Sequence, residues 1–318
     1  MNAEGATRAG QDGAQAAQAA DQQAADPLGI QVEEFAEPGG FDLGSMLMGK
    51  VSNASYIEIG PLRIDLPQWD PIMIGGLAID LSPSKNVVFL LLAAVLCILT
   101  FTIVGRTFKR MEAGDAPTGF ANAVEGMILF FRDQVVRANI GHGADKFTPF
   151  ILSLFFFILY MNLLGLVPFG VAATGSLSVT AALAFLAFLW TEVSGFRALG
   201  PAGYARTIFY APKGLPPAGQ AVLLLIMTPV EALGKLTKPF ALAIRLFANM
   251  TAGKILIFAL LGLVFVFADA AVARWGVAGG AVLMATAITL LKVFISFLQA
   301  FIFTMLTAVF IGLIRHAH

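Results

Sequence analysis

Charge is scarce in this sequence. Only 13% of its 318 residues are Asp, Glu, Lys or Arg, against about 25% in soluble proteins, and 58% are apolar before glycine is counted. An ordinary soluble domain is excluded. Net charge is also missing, because twenty Lys+Arg balance twenty Asp+Glu, so no basic field exists to attract nucleic acid. Cysteine is nearly absent. The one thiol, Cys97, lies in an uncharged apolar run and rules out a disulfide framework or a cysteine-built metal site. The three histidines, His142, His316 and His318, are too scattered for a zinc triad. No GxxxxGK[ST], no GxGxxG after a strand and no GxSxG occurs, so nucleotide binding and serine hydrolysis have no foothold. Neither a cofactor nor a metal is expected.

What is present is a series of long apolar runs. Asn86 to Gly105 carries no charge for twenty residues, the length that crosses about 30 Å of hydrocarbon. Arg106, Lys109 and Arg110 follow at once and place that end in the cytoplasm by the positive-inside rule, which leaves the N-terminus outside. A second run covers Thr148 to Pro168 and a third about Gly175 to Thr191. The loop after the third carries Arg197, Arg206 and Lys213 and reads as cytoplasmic too. Between the first two crossings, FANAVEGMILFFRDQVV (Phe120 to Val136) has helical apolar spacing with Glu125, Arg132 and Asp133 interspersed, the pattern of an interfacial amphipathic helix.

The last hundred residues are too long for their apparent purpose. From Gly276 to Ile314 there are 39 residues with one charge, Lys292, and no proline, so a continuous helix would be roughly 58 Å long. No turn signal lies between Ala281 and Gly312 to split it. A single, steeply tilted helix is predicted. Pro217 to Phe267 is equally overlong, and Ala268 to Trp275 supplies a turn between the two. The fold class is therefore an all-α polytopic membrane protein. It has about five crossings plus the interfacial helix, and the last two form a long tilted hairpin ending inside the cell at Arg315-His316. Three regions follow: 1–40, a disordered extension whose first 26 residues are Ala/Gln-rich with no signal-peptide core; 41–85, an outer segment with extended pieces around Pro61, Pro67 and Pro71; and 86–316, the integral membrane domain.

An intramembrane Arg or Lys costs about 2.5 to 3.5 kcal/mol on insertion scales, so each is a functional candidate. Glu231, Lys238 and Arg245 share a helix face at i, i+7 and i+14, with Asn249 one turn further on. The plainer reading of Glu231, Lys235 and Lys238 is that they solvate the cytoplasmic helix end and pair with one another. Arg245 is set between FALAI and LFANM, with no carboxylate at helical spacing nearer than Glu231. Counting outward from the hairpin centre near Val272, Arg245 lies 27 residues before it and Gln299 lies 27 after, which predicts equal depth on adjacent helices. Lys254 and Lys292, at 18 before and 20 after, fall opposite each other. For Gln299 the plainer role is a hydrogen bond between packed helices.

Lys238 to Met250 (KPFALAIRLFANM) and Leu298 to Thr307 (LQAFIFTMLT) resemble the two signature helices of subunit a of F-type ATP synthase. Met161-Asn162-Leu163-Leu164 with Pro168 resembles that family's earlier motif, and the similarity covers about residues 40 to 315. The resemblance implies a stator subunit without a catalytic site of its own, set in a bacterial inner membrane. Its implied partners are a ring of c subunits, each with one intramembrane carboxylate, the b subunits of the peripheral stalk and the rest of the synthase. It further implies that Arg245 faces the ring and separates two half-channels, with Asn162, Asn249 and Gln299 among the polar residues of ion translocation. A guanidinium does not lose its proton in this setting, so it favours an ionised ring carboxylate and relays no proton itself.

The sequence departs from that family where an acid and a histidine are usual and lysines 254 and 292 stand instead. Two ammonium groups at one depth repel. Either the vestibule is wet enough to screen them, one is neutral, or a carboxylate sits between them, for which Glu192 and Glu231 are the candidates. The expected ion is the proton, with sodium the alternative. A secondary transporter for an anionic substrate is the alternative of a different class, and it predicts inverted repeats that are not visible here.

Overall fold

The computed structural model describes residues 30–32, 56–59, 62–69, 72–74, 77–79, 82–110, 118–167, 170–209, 216–266 and 273–316. Almost all of the expected disordered extension lies outside them. The chain divides into two compact units, the first formed by residues 1–40 and 54–85 and the second by 41–53 and 86–318.

The elements described in the first unit are short strands. β1 (Ile30–Val32), β2 (Tyr56–Ile59) and β3 (Leu62–Asp65) form an antiparallel sheet in the order β1-β3-β2. β4 (Ile72–Ile74) and β5 (Leu77–Ile79) form a separate antiparallel pair. The β2–β3 register pairs Ile57 with Ile64 and Glu58 with Arg63. The expected extended pieces are thus strands among the described residues, and β3 ends before Pro67, which cannot donate to a central ladder; Pro61 and Pro71 lie outside the described residues.

The described elements of the second unit are helical. Among them, five helices are long and apolar enough to cross a membrane, as the runs predict. They are α1 (Lys85–Arg110), α3 (Thr148–Leu164, led in by a 3₁₀ turn at Ala144–Phe147), α4 (Leu177–Ile208), α5 (Pro217–Val266) and α6 (Ala273–Arg315). The amphipathic segment is α2 (Phe120–Phe130), continued by a π-helical stretch, Phe131–Arg137, and a short turn, Ala138–Ile140. α3 is the hub of the bundle, with Ile151, Phe155, Ile158 and Met161 fully enclosed. α2 and its continuation bury Val124, Phe131, Val135 and Val136 and are latched to the foot of α3 by charge. Arg137 donates from Nε and Nη2 to Asp145 at 2.7 and 2.9 Å and from Nη1 to Asp133 at 2.9 Å. A two-pronged guanidinium–carboxylate pairing fixes direction as well as distance. The hydrogen bond from Arg132, aided by Arg137, holds the Asp133 carboxyl below the ordinary carboxylate range.

α5 and α6 are the long hairpin, at 50 and 43 residues, roughly 75 and 65 Å at 1.5 Å per residue. They exceed a bilayer's thickness, so they must tilt or project from it. The centre of the expected turn, residues 267–272, lies outside the described residues. α6 passes so close to Asn139 that a Cβ at Gly312 would overlap the Asn139 carbonyl, which makes glycine the residue that fits there.

One expectation needs correction here. The third apolar run ends at Thr191, yet α4 continues to Ile208, so Arg197 and Arg206 sit on a helix and not in a loop. The physical reason is that the helix bends without stopping. Gly200 takes φ 69° directly before Pro201, and proline disfavours an α conformation in the residue that precedes it. The second limb of α4 then turns back toward the first.

Candidate functional site

Arg245 sits on α5 at a sharp division of faces. Leu242, Ala243, Leu246 and Met250 are buried in the bundle, whereas Arg245 and Asn249 are exposed, together with Ala241, Ala248 and Ala252. Small residues thus surround the guanidinium on an open helix face, leaving room for another helix to approach. Arg245 makes no hydrogen bond or ion pair with any described residue.

Toward the α5–α6 turn, the helices are joined by a buried polar seam. Asn249 donates from Nδ2 to Gln299 Oε1 at 2.8 Å, and Gln299 Nε2 is buried with no hydrogen-bond partner among the described residues. Buried donors are rarely left so. Gln299 is therefore opposite Asn249, one turn from the depth that the hairpin count assigned to Arg245. Lys292, 6% exposed, lies across Gly253, where a Cβ would come within 2.8 Å of its Cε. The Lys254 ammonium is 3.2 Å from the Cβ position at Gly175, at the end of the 3₁₀ turn Ala173–Gly175. Asn162 anchors that turn: Thr174 Oγ1 donates to Asn162 Oδ1 at 2.6 Å, and Asn162 Nδ2 donates to the Ser296 carbonyl at 3.5 Å.

On the other side of Arg245, a cavity of about 260 Å³ is lined by Glu192, Glu231, Lys235, Lys238, Thr207 and the apolar Leu242, Phe310 and Ile314. It follows α5 from Glu231 to Leu242, about 16 Å of helix, and stops one turn short of Arg245. Glu192 occupies its wall in a way the sequence did not suggest. It accepts a hydrogen bond from the Tyr204 hydroxyl and pairs with Lys235 at 3.5 Å. Lys235 also donates to Thr207 Oγ1 at 3.0 Å and lies 4.5 Å from the Tyr204 ring centre. One cluster thus joins both limbs of the kinked α4 to α5.

Glu192 is therefore not between the two lysines. Its partner Lys235 is nineteen residues before Lys254, about 28 Å along α5. Nor does Lys235 take Glu231 as its counter-ion. Tyr204, Thr207, Thr174 and Ser296 were missed from the sequence. Ser296 was within reach, because it stands four residues after Lys292 and three before Gln299 on one helix face. The other three become visible only when a kink or a loop brings distant segments together.

A multi-pass helical membrane protein is thus defined, with an outward-facing arginine, unpaired among the described residues, set between a polar seam and a charged cavity. Known proteins are similar to it in sequence. The family described as ATP synthase A chain matches residues 87–312. The ATP synthase subunit a of Chlorobium phaeobacteroides (strain BS1) is 42% identical over 271 residues, covering 85% of this chain and 75% of that protein. That of Chloroherpeton thalassium is 46% identical over 242 residues, covering 76% and 68%. That of Anaeromyxobacter dehalogenans is 41% identical over 301 residues, covering 89% and 74%. The chain belongs to the ATP synthase A chain family.

The Asn249–Gln299 bond makes a direct prediction. With Cys97 replaced by Ala, cysteines at 249 and 299 should form a disulfide in oxidised membranes with high yield, and a 245/299 pair should do so less well. Crosslinking of 299 to the region of Trp275 instead would mean that α6 folds back on itself.

Proposed function

We propose that this chain is the ion-translocating stator subunit of a bacterial F-type ATP synthase, with Arg245 as the fixed charge between two half-channels. The observation that carries this reading is the exposed guanidinium without a partner among the described residues. A charge at mid-membrane depth is costly unless it is paired, so its counter-charge is supplied by another chain. A carboxylate carried past on a rotating ring of c subunits fits the alanine-lined face around it. The arginine favours the ionised form of that carboxylate, so each passing group releases its ion before reaching Arg245 and reloads beyond it.

The seam of Asn249, Gln299, Lys254, Lys292 and Asn162 is the outer access path, and the cavity of Glu231 and Glu192 is the inner one. This orientation puts the N-terminus outside and Arg315 in the cytoplasm, in keeping with the basic cluster after α1. The b subunits of the peripheral stalk hold the chain against rotation. About 2.3 kcal/mol per charge is available from 100 mV, and rotation passes it to the soluble sector.

The proposed ion is the proton. Lysines can take and release a proton but cannot ligate a sodium ion, which seeks oxygen donors. ATP-driven acidification of inverted vesicles, followed with a pH-sensitive dye in sodium-free buffer, is expected at full rate. ATP-driven uptake of labelled sodium, with acidification only in its presence, would reverse the ion assignment. ATP-driven transport of neither ion by the assembled complex would overturn the function. Family membership leaves the transporter alternative without support.

A further inference from the structure

We propose that a basic cavity at the Arg315 end of the bundle binds the phosphate of an anionic phospholipid, with one acyl chain lying in the apolar cleft beside it. This goes beyond the ion-path reading and depends only on the chain's place in a membrane.

The cavity, about 430 Å³, is lined by Lys146, Arg197 and Arg315 with Ser194, Phe147 and Trp190 among its other walls, and by no carboxylate. It collects three cations from three elements: the turn before α3, the first limb of α4, and the end of α6. Arg315 is held in place by its bond from Nη2 to the His142 carbonyl at 3.0 Å, and by packing of its guanidinium 5.1 Å from the Phe147 ring centre. Most of its donors remain available. Lys146 and Arg197 are exposed and form no hydrogen bond or ion pair with any described residue. The acid next in sequence, Asp145, is taken by both prongs of Arg137, so it does not neutralise Lys146. Like charges gathered around one space repel unless an anion fills it, and a phosphate matches the planar fork of arginine.

Two further features select a lipid over a free ion. Trp190, 41% exposed, stacks on Phe150 with ring centres 4.9 Å apart and planes at 21°, and such amphipathic rings belong at headgroup depth. The same Phe150 lines a second cavity, a cleft of about 590 Å³ between α1, α3 and α4, walled by Ile98, Phe101, Phe157, Leu183 and Leu186 and free of charged residues. The Phe150–Trp190 stack therefore stands where a polar headgroup site meets an acyl-chain groove. A soluble anion would have no use for the groove.

The intact synthase, reconstituted in phosphatidylcholine vesicles, can be labelled with phosphatidylglycerol bearing a photoreactive acyl chain and the adducts mapped by mass spectrometry. Label is expected on the peptides spanning 150–157 and 183–186, more strongly than from the matching phosphatidylcholine probe. Lys146→Gln and Arg197→Gln should each reduce it about fivefold, Arg197→Lys should retain most of it, and ATP synthesis should stay near normal as a control for assembly. Equal labelling by the two lipids, or unchanged labelling in the Lys146→Gln/Arg197→Gln double variant, would overturn the proposal. So would displacement by millimolar inorganic phosphate, which would mark a free-anion site. Crosslinking of Arg197→Cys to an acidic segment of another subunit would make the cavity a protein contact and equally reject the lipid.

Discussion

Arg245→Ala is expected to abolish ATP synthesis and ATP-driven pumping while the complex still assembles. The side chain stands on the open face of α5 and no described residue bonds to it, so its removal opens no cavity in the bundle and orphans no buried partner. What is lost is a fixed charge where a carboxylate must pass. A single preorganised electrostatic group of this kind contributes about 10² to 10³ in rate, and here the loss is compounded by leakage. Without the guanidinium, a protonated carboxylate can slip from one half-channel to the other without driving rotation. Coupled synthesis should therefore fall below about one percent, whereas passive proton conduction through the membrane sector survives or rises. Arg245→Lys should fail nearly as far, because a compact ammonium offers neither the planar fork nor the permanence of charge. Coupled synthesis is measured in inverted vesicles, with immunoblots of the assembled complex as the control. Substantial synthesis in an assembled Arg245→Ala complex would remove the stator assignment.

Crossing number followed from run length because backbone in hydrocarbon must satisfy itself within a helix. The hairpin count worked because two antiparallel α-helices rise at the same rate from a shared turn. It set Lys292 within a residue of its true opposite, Gly253, and missed the Gln299 partner by one turn, since a small error in an assumed turn centre shifts the opposite residue by twice as much along the partner helix. Glu192 failed for a different reason. A sequence places a residue along its own helix, but its counter-ion Lys235 and donor Tyr204 reach it across a bend at Gly200-Pro201. The apolar run likewise ended at Thr191 although the helix did not, because Glu192 is accommodated by those same partners. Hydropathy records the absence of charge and is blind to charge that has been satisfied.

The other large effect is expected at Lys292. Its ammonium is brought into the seam between α5 and α6, its stem lying over Gly253, and the side chain is 6% exposed. Lys254 is next to Gly253 in sequence and extends toward Gly175, so both lysines belong to one level of α5. Burying a lysine where methionine would pack equally well is costly, and a group kept there at such cost is expected to act. With Glu192 and Glu231 both in the inner cavity, neither mediates between the lysines. If the pair hands protons along the outer path, Lys292→Met should lower proton-driven ATP synthesis about tenfold or more, the lower end of what a positioned proton-transfer group supplies. Its packing volume is kept, so complex yield should not change. Lys254→Gln should cost less and move the pH optimum, because its neighbour then titrates without it. The double variant should be no worse than Lys292→Met alone, since two members of one relay are not additive, whereas independent sites are. The discriminating measurement is the pH profile of proton-driven synthesis in the three variants. Unchanged profiles with losses that multiply would make the lysines separate structural cations and leave the outer path to Asn249, Gln299 and Asn162.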